Sequence, residues 1–290
     1  MIDRYLAQST HKKGYGNERV YAQFWTRRYG QTRVHEVTPL SIEQARTVLL
    51  THGSTEQKRP LARSTVNRYV AWWKHVLMIE ERQGRLEKNP CRAIQKFTEA
   101  PPPDEQFTVE EEAALRTELG RDWDCVRLAI LTGLRQDEEF TLAWIRLDFE
   151  RGFGKLPNPK SGEPEIFLLS DEAIAILKAR SGNGSPWVFP HPRDPSQPMN
   201  GKSWYNHVFK PACTRAGIEL SRANGKTWHT LRHTFAARLQ EAGVPVGDIK
   251  DLGRWKSWKA MDRYLKRGTL RLRSAIQTIA TATDTKPPLT

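Results

Sequence analysis

The sequence predicts a two-domain, mainly α-helical protein whose second domain carries a small antiparallel β-sheet. Three observations predict it. Apolar residues recur at helical spacing along most of the 290-residue chain. Residues 146–170, "RLDFERGFGKLPNPKSGEPEIFLLS", break that pattern into short apolar runs separated by Gly, Pro and Asn. A proline-rich stretch, "EAPPPDEQ" at residues 99–106, stops any helix before it and stiffens the connection. The chain therefore divides into a helical domain over 1–98, a linker over 99–106 and a helix-plus-sheet domain over 107–283. A tail over 284–290, within "TDTKPPLT", is expected to be disordered.

In the first domain the strongest helix is "STVNRYVAWWKHVLMIEERQG", residues 64–84, with Ser64 as the expected N-cap and Gly84 as the expected stop. Val66, Val70, Trp73 and Leu77 recur at i, i+4, i+7 and i+11 and define its buried stripe. Asn67, Arg68, Lys74 and His75 fall off the stripe. They are either a solvated face or a face laid on DNA, and the charge of the domain tips the balance toward DNA. Trp72 and Trp73 could stack on bases, with packing the expected role for Trp73. In the second domain, Thr108 before an acidic first turn marks a helix start. "CVRLAILTG" reads as a buried helix ending at Gly133. Two or three antiparallel strands follow in 146–170, with Lys160 in the turn before "EIFLLS", and helices then continue to about residue 283.

Charge and composition narrow the function. The net charge is +13 and the pI is near 9.8, which points to a polyanionic partner, most simply nucleic acid. The excess is uneven: residues 1–98 hold 18 basic and 8 acidic residues, against 28 and 25 in the rest. Cys91, Cys125 and Cys213 form no CxxC pair, which argues against a disulfide framework or a zinc module and fits a reducing cytosol. No signal peptide or membrane-spanning run is expected.

"WHTLRHTFAARLQEAG", residues 228–243, places His229, Arg232 and His233 at a helix start. Histidines at i and i+4 resemble half of a zinc motif, but position 230 is Thr rather than Glu and no further His/Cys cluster supplies another ligand, so no metal is expected. Arg232, read in the first turn, suits an anion, because a guanidinium forks onto phosphate and helix N-termini favour negative charge. "LTGLRQDEEF" sets Arg135 just after Gly133, at a turn between helices. "DLGRWKSWKAMDRYLKRG" breaks at Gly253, restarts with Ser257 as the expected cap and carries Tyr264 in a short helix.

With these residues in view, the chain resembles the tyrosine recombinases of the phage integrase family. "TGLRQDE" matches the family's T-G-L-R-x-x-E box with Arg135 and Glu138. "HTLRH" matches H-x-L-R-H with His229, Arg232 and His233. "LGRWKSWKAMDRY" aligns Trp255 with a His/Trp position and Tyr264, nine residues later, with the nucleophile. Lys160 in "KSG" matches the β-turn lysine. Acidic Glu163 and Glu165 follow where basic residues are usual, which keeps Lys155 as the alternative. Thr230 stands where the family often has Asp. The match covers about residues 107–267.

The resemblance implies an N-terminal helical core-binding domain and an α+β tyrosine-recombinase catalytic domain, closing on DNA as a clamp, with no obvious room for an arm-type domain. It implies a site-specific recombinase that cleaves and rejoins duplex DNA through a 3′-phosphotyrosyl link, for integration or excision of a phage or mobile element in a bacterial or host cytoplasm. No metal or other cofactor is required. The partners implied are duplex DNA and a homotetramer on synapsed sites, with accessory DNA-bending proteins left open. Tyr264 would be the nucleophile, assisted by His229; Arg135, Arg232 and Trp255 would hold the phosphate, and Lys160 would protonate the 5′-oxygen. Glu138 and His233 would support the pocket. A tyrosine-type topoisomerase or resolvase, and a catalytically idle DNA-binding regulator, are the alternatives. Beyond Gly268, Leu272, Ile276 and Ile279 form a short apolar stripe that docks either on its own subunit or on a neighbour.

Overall fold

The computed structural model describes residues 1–12, 14–54, 59–99, 106–157, 164–221 and 226–261. Its contacts separate two compact units, Met1–Pro101 and Pro102–Thr290. The tail and the apolar stripe after Gly268 lie outside the described residues. No helix among the described residues is long and apolar enough to cross a membrane.

The first unit is helical: α1 (Ile2–Ser9), α2 (Tyr15–Tyr29), α3 (Pro39–Thr51) and α4 (Arg63–Arg82). Helix α4 is central, and its Val66, Val70, Trp73 and Leu77 stripe is buried. Trp73 stacks on Trp25 of α2, with ring centroids 5.1 Å apart, and Trp25 donates its indole N–H to the Tyr69 carbonyl at 3.0 Å. Trp72 is buried too, against Tyr5, so neither tryptophan presents a face for bases. The helix ends at Gly84 as expected. That residue takes the left-handed conformation (φ +71°), and the Gly84 and Arg85 amides close onto the Glu81 and Glu80 carbonyls.

Two expectations for α4 are corrected. The helix starts at Arg63 with Ala62 in the capping position, so Ser64 lies inside it and caps nothing. Asn67 does not belong to an open polar face. It is buried, its amide donates to the Phe97 carbonyl (2.9 Å) and to Glu99 (2.8 Å), and its carbonyl oxygen accepts from the Phe97 amide (2.9 Å). It clasps the segment after α4, a role that i, i+3 and i+4 spacing within the helix cannot reveal. Arg68, Lys74 and His75 are exposed.

In the second unit α5 (Val109–Leu119) starts at Thr108, which exchanges side-chain and backbone hydrogen bonds with Glu111. Helix α6 (Trp123–Thr132) is buried along most of its length and stops at Gly133 (φ +61°), and α7 (Gln136–Phe140) follows. Strands β1 (Leu147–Asp148), β2 (Phe153–Leu156) and β3 (Glu165–Leu168) form an antiparallel sheet in sequence order. Lys155 pairs with Ile166, and Gly154 with Phe167. Helix α8 (Asp171–Ala179) precedes a hairpin of β4 (Pro190–His191) and β5 (Asp194–Pro198). The sequence reading missed this hairpin, because its prolines and polar residues give no apolar alternation. The chain continues through α9 (Gly201–Trp204), a π-helical turn at Tyr205–Phe209, α10 (Lys210–Arg215), α11 (Trp228–Glu241) and α12 (Val246–Leu252). A 3-10 turn occupies Trp258–Met261, the start of the short helix expected after Ser257, and the rest of that segment, with Tyr264, lies outside the described residues. Helix α11 packs on α6, and the Thr234 hydroxyl accepts from the Phe107 amide at 2.9 Å.

Glu139 of α7 is completely buried, and neither carboxyl oxygen has a hydrogen-bond partner. Arg180, whose charge acts on it, is committed to Asp124 at 3.0 Å. Burial pushes the Glu139 carboxyl well above the carboxylate range, with Arg180 offsetting only part of that. A carboxyl raised in the folded state favours folding at acid pH and loses that contribution as pH climbs past the unfolded value, because only the unfolded chain then ionises. Glu139→Leu is therefore expected to stabilise the protein by about 1–3 kcal/mol near pH 7. The gain in melting temperature should be larger at pH 8 than at pH 5; a loss of stability at both would show that the carboxyl has a partner.

Candidate active site

The site forms where four segments meet: the end of α6, the start of α7, one face of α11 and the turn after α12. Gly133 is at its centre. The left-handed φ that ends α6 suits glycine, and a Cβ there would lie 2.7 Å from the Phe235 ring of α11. The close approach lets Arg232 of α11 reach across and donate to the Gly133 carbonyl with one nitrogen and to the Gly253 carbonyl with another. Arg232 is only 1% exposed. It is the fifth residue of α11, in its second turn, and its guanidinium reaches away to two carbonyls. The expectation that it serves the helix N-terminus is therefore corrected.

Arg135 occupies the N-cap position of α7. Its backbone N–H donates to Glu138 at 2.9 Å, and its guanidinium pairs with the same carboxylate. Its side chain remains 45% exposed, so an open guanidinium is steered by a carboxylate from its own helix. Burial raises the Glu138 carboxyl, but the Arg135 hydrogen bonds and the charges of Arg135 and Arg254 outweigh it, and the group lies below its ordinary value.

His229 is exposed on α11 and His233 half-buried one turn on. Their rings meet edge to face, 4.7 Å between centroids. Trp255 is buried among Phe235, Ala236, Ile249 and Met261. Its ring lies 4.3 Å from the Arg232 guanidinium carbon, a desolvated cation–π contact that props the arginine from one side. Gly253 makes room for that ring, since a Cβ there would fall inside it. The structure thus brings Arg135, Glu138, His229, Arg232, His233 and Trp255 onto segments that adjoin one another. Lys160 and Tyr264 lie outside the described residues. Lys155 is exposed on β2, between buried Gly154 and Leu156. Strand alternation turns it away from the face where Phe167 and Glu165 meet the site.

Sequence reasoning missed Arg254. Its guanidinium is buried, ion-paired with Glu138 at 3.2 Å and 3.4 Å from the Gly133 carbonyl. The only available signal was its position, between Gly253 and Trp255. The departure at Glu165 also finds a reason, because Glu165 pairs with Lys256 at 2.9 Å and joins β3 to the same turn. No group of three or more His, Cys, Asp or Glu that could hold a metal occurs among the described residues.

The profile of the phage integrase family matches residues 106–269. The integrase of Salmonella phage P22 is 25% identical over 297 aligned positions, covering 90% of this chain and 74% of that protein. Tyrosine recombinase XerA of Pyrococcus furiosus is 25% identical over 178 positions, covering 59% of this chain and 60% of its own length. Among solved structures, a lambda integrase (75–356) dimer bound to a COC' core site superposes with a TM-score of 0.74 at 15% identity, covering 91% of this chain and 93% of that one. The Tn1549 transposon integrase with a circular intermediate DNA gives 0.71 at 17%, covering 90% and 92%. At such identity the structural matches establish the fold, and the profile, spanning more than half of the chain, establishes the family: the chain belongs to the phage integrase family.

Proposed function

We infer that this protein is a site-specific DNA recombinase that breaks and rejoins duplex DNA through a 3′-phosphotyrosyl intermediate, serving integration or excision of a mobile element. The observation that carries the reading is the convergence of three arginines, Arg135, Arg232 and Arg254, about one short turn at Gly133, two of them paired with Glu138. Guanidinium groups gathered in this way suit a phosphodiester. The basic first unit and the DNA-bound lambda and Tn1549 relatives support duplex DNA as the partner. A lambda integrase tetramer bound to a Holliday junction, matched with a TM-score of 0.71, supports a tetramer on synapsed sites.

Each residue then has a task. Tyr264 attacks the phosphorus, and His229, on the open side of α11, takes up the proton that makes its hydroxyl a competent nucleophile. Arg135 and Arg232 bind the non-bridging oxygens and stabilise the charge that grows in the pentavalent transition state. Trp255 serves chiefly as the platform for Arg232. Lys160 delivers a proton to the departing 5′-oxygen, the outward direction of Lys155 favouring Lys160 for this task. The phosphotyrosyl bond stores the energy of the cleaved linkage, so a second 5′-hydroxyl can displace the tyrosine and reseal a strand.

On a nicked suicide duplex carrying the site beside the gene, the protein should form a covalent adduct that Tyr264→Phe abolishes while DNA affinity is kept. An adduct that survives in that variant, or maps to Tyr205, would remove Tyr264 from the reaction. Arg135→Ala should slow cleavage by about 100- to 1,000-fold, the loss of one transition-state donor, with little change in melting temperature because the side chain is half open. Gly133→Ala should cost roughly 1–3 kcal/mol in stability. It should also slow cleavage more than DNA binding, since it displaces the carbonyl on which Arg232 rests. Full activity in Gly133→Ala would mean that this carbonyl does not set the site.

A further inference from the structure

Arg254 is an expensive residue for its position. Its φ is +57°, the one positive value at a non-glycine residue among those described, in a region where a side chain is strained and glycine is the default. Its guanidinium is taken almost wholly out of water, 6% exposed. Its Nε is buried without a hydrogen-bond partner. Burial pulls the group below its ordinary arginine value, although Glu138 counters this. A backbone strain, a desolvated charge and an unsatisfied donor all weigh against keeping an arginine here for stability alone.

The bonds it does make all lie within the site. One terminal nitrogen reaches both the Glu138 carboxylate and the Gly133 carbonyl, at 3.2 and 3.4 Å. The other reaches the Leu252 carbonyl, at 3.4 Å. Glu138 thereby bridges two guanidiniums, using the same oxygen for Arg254 and for the Arg135 backbone N–H and its other oxygen for the Arg135 guanidinium. With only Arg135 as partner, the carboxylate would be held by that residue's backbone N–H and exposed side chain, both from its own helix turn. Arg254 holds it from the opposite side, on an element that is itself fastened by Arg232 at Gly253 and by Lys256 at Glu165.

We propose that Arg254 is a positioning residue for DNA cleavage: it fixes Glu138 against Arg135 and so sets the aim of the exposed guanidinium that binds the scissile phosphate. What separates this from a direct phosphate contact is the ion pair that commits the Arg254 guanidinium to Glu138. The proposal rests on the recombinase reading above. The charged groups around Glu138 are Arg135 from α7, Arg254 from the turn after α12 and, through the shared Gly133 carbonyl, Arg232 from α11. Glu165 of β3 and Lys256 form the next pair out.

The test uses the full-length protein and the variants Arg254→Gly, which removes the guanidinium and accepts the positive φ, and Arg254→Lys, which keeps the charge without the fork. Single-turnover cleavage of the nicked duplex at saturating protein is measured against pH, and DNA affinity separately. Arg254→Gly should cleave about 10- to 100-fold more slowly, as a misaimed catalytic group does, with DNA affinity unchanged. The acid limb of its pH profile should move to higher pH, because Glu138 has lost one of the cations that keep it ionised. Arg254→Lys should recover part of the rate. In a Glu138→Gln background, Arg254→Gly should add little further loss, since both substitutions cut one chain of contacts. Parent-like cleavage by Arg254→Gly overturns the proposal, as does a loss that persists in full in the Glu138→Gln background. Weakened DNA affinity with the saturating rate intact overturns it too, in favour of direct contact. Thermal unfolding against pH without DNA keeps the two readings apart. If the parent does not cleave, the recombinase reading fails, and an unmoved acid transition in Arg254→Gly would still refute the hold on Glu138. Should Arg254→Gly not fold, Arg254→Lys carries the same comparisons, and full parental rate with an unmoved acid limb overturns the proposal there.

Discussion

The Gly133 carbonyl is the point on which the second unit's chemistry depends. A backbone acceptor has room for two donors, and here both come from guanidinium groups, Arg232 on α11 and Arg254 after α12. That acceptor is presented only because α6 stops in a left-handed turn, and that turn is tolerated only because glycine leaves space for Phe235. The helix stop, the packing of α11 and the placement of two cations are thus one constraint. Arg135 then follows two residues later at the cap of α7, too close in sequence to be placed independently.

The site gathers three guanidinium groups about one turn. Two of them, from Arg135 and Arg254, share the Glu138 carboxylate, and Glu165 pairs with Lys256. Carbonyl dipoles and the Trp255 ring offset part of the cost of burying the cations. A phosphate would enter on the side where Arg135 and His229 are exposed. Glu138 is better understood as a limit on this positive field than as a reacting group. It leaves the pocket attractive to an anion while keeping Arg135 from turning into solvent.

Much of this was legible in the sequence. Gly133 as a helix stop, the capping Thr108, the buried α4 stripe and the sheet within 146–170 all follow from local rules of backbone geometry and periodicity. The spacing of "TGLRQDE", "HTLRH" and "LGRW" located six residues that the fold brings to adjoining segments. What was not legible depends on partners distant in sequence. Asn67 looked like part of a polar face because its true partner, the backbone at Phe97, is 30 residues away. Arg254 drew no reading at all because its partner Glu138 lies 116 residues earlier. The β4–β5 hairpin is closed by turn chemistry, as in the Arg193 amide donating to His191 Nδ1 at 3.3 Å, and not by an apolar pattern. Charge and periodicity report which residues avoid water; they do not report which polar residue a buried one meets.

The contrast between the two motif arginines decides how mutants of this protein are to be understood. Arg135 is half open and bonded only within its own turn, so its truncation removes the guanidinium proposed to bind phosphate and little else. Arg232 is sealed in the interior with two backbone carbonyls and an indole ring depending on it. Its truncation would take a donor from both carbonyls, at a cost of about 1–3 kcal/mol where an acceptor is left unsatisfied, and would loosen the turn that carries Arg254 and Trp255. A loss of cleavage in an Arg232 variant therefore mixes chemistry with folding, whereas the same loss in an Arg135 variant isolates the chemistry. The fold leaves one motif arginine open in its own turn and builds the other into the frame that holds the site together.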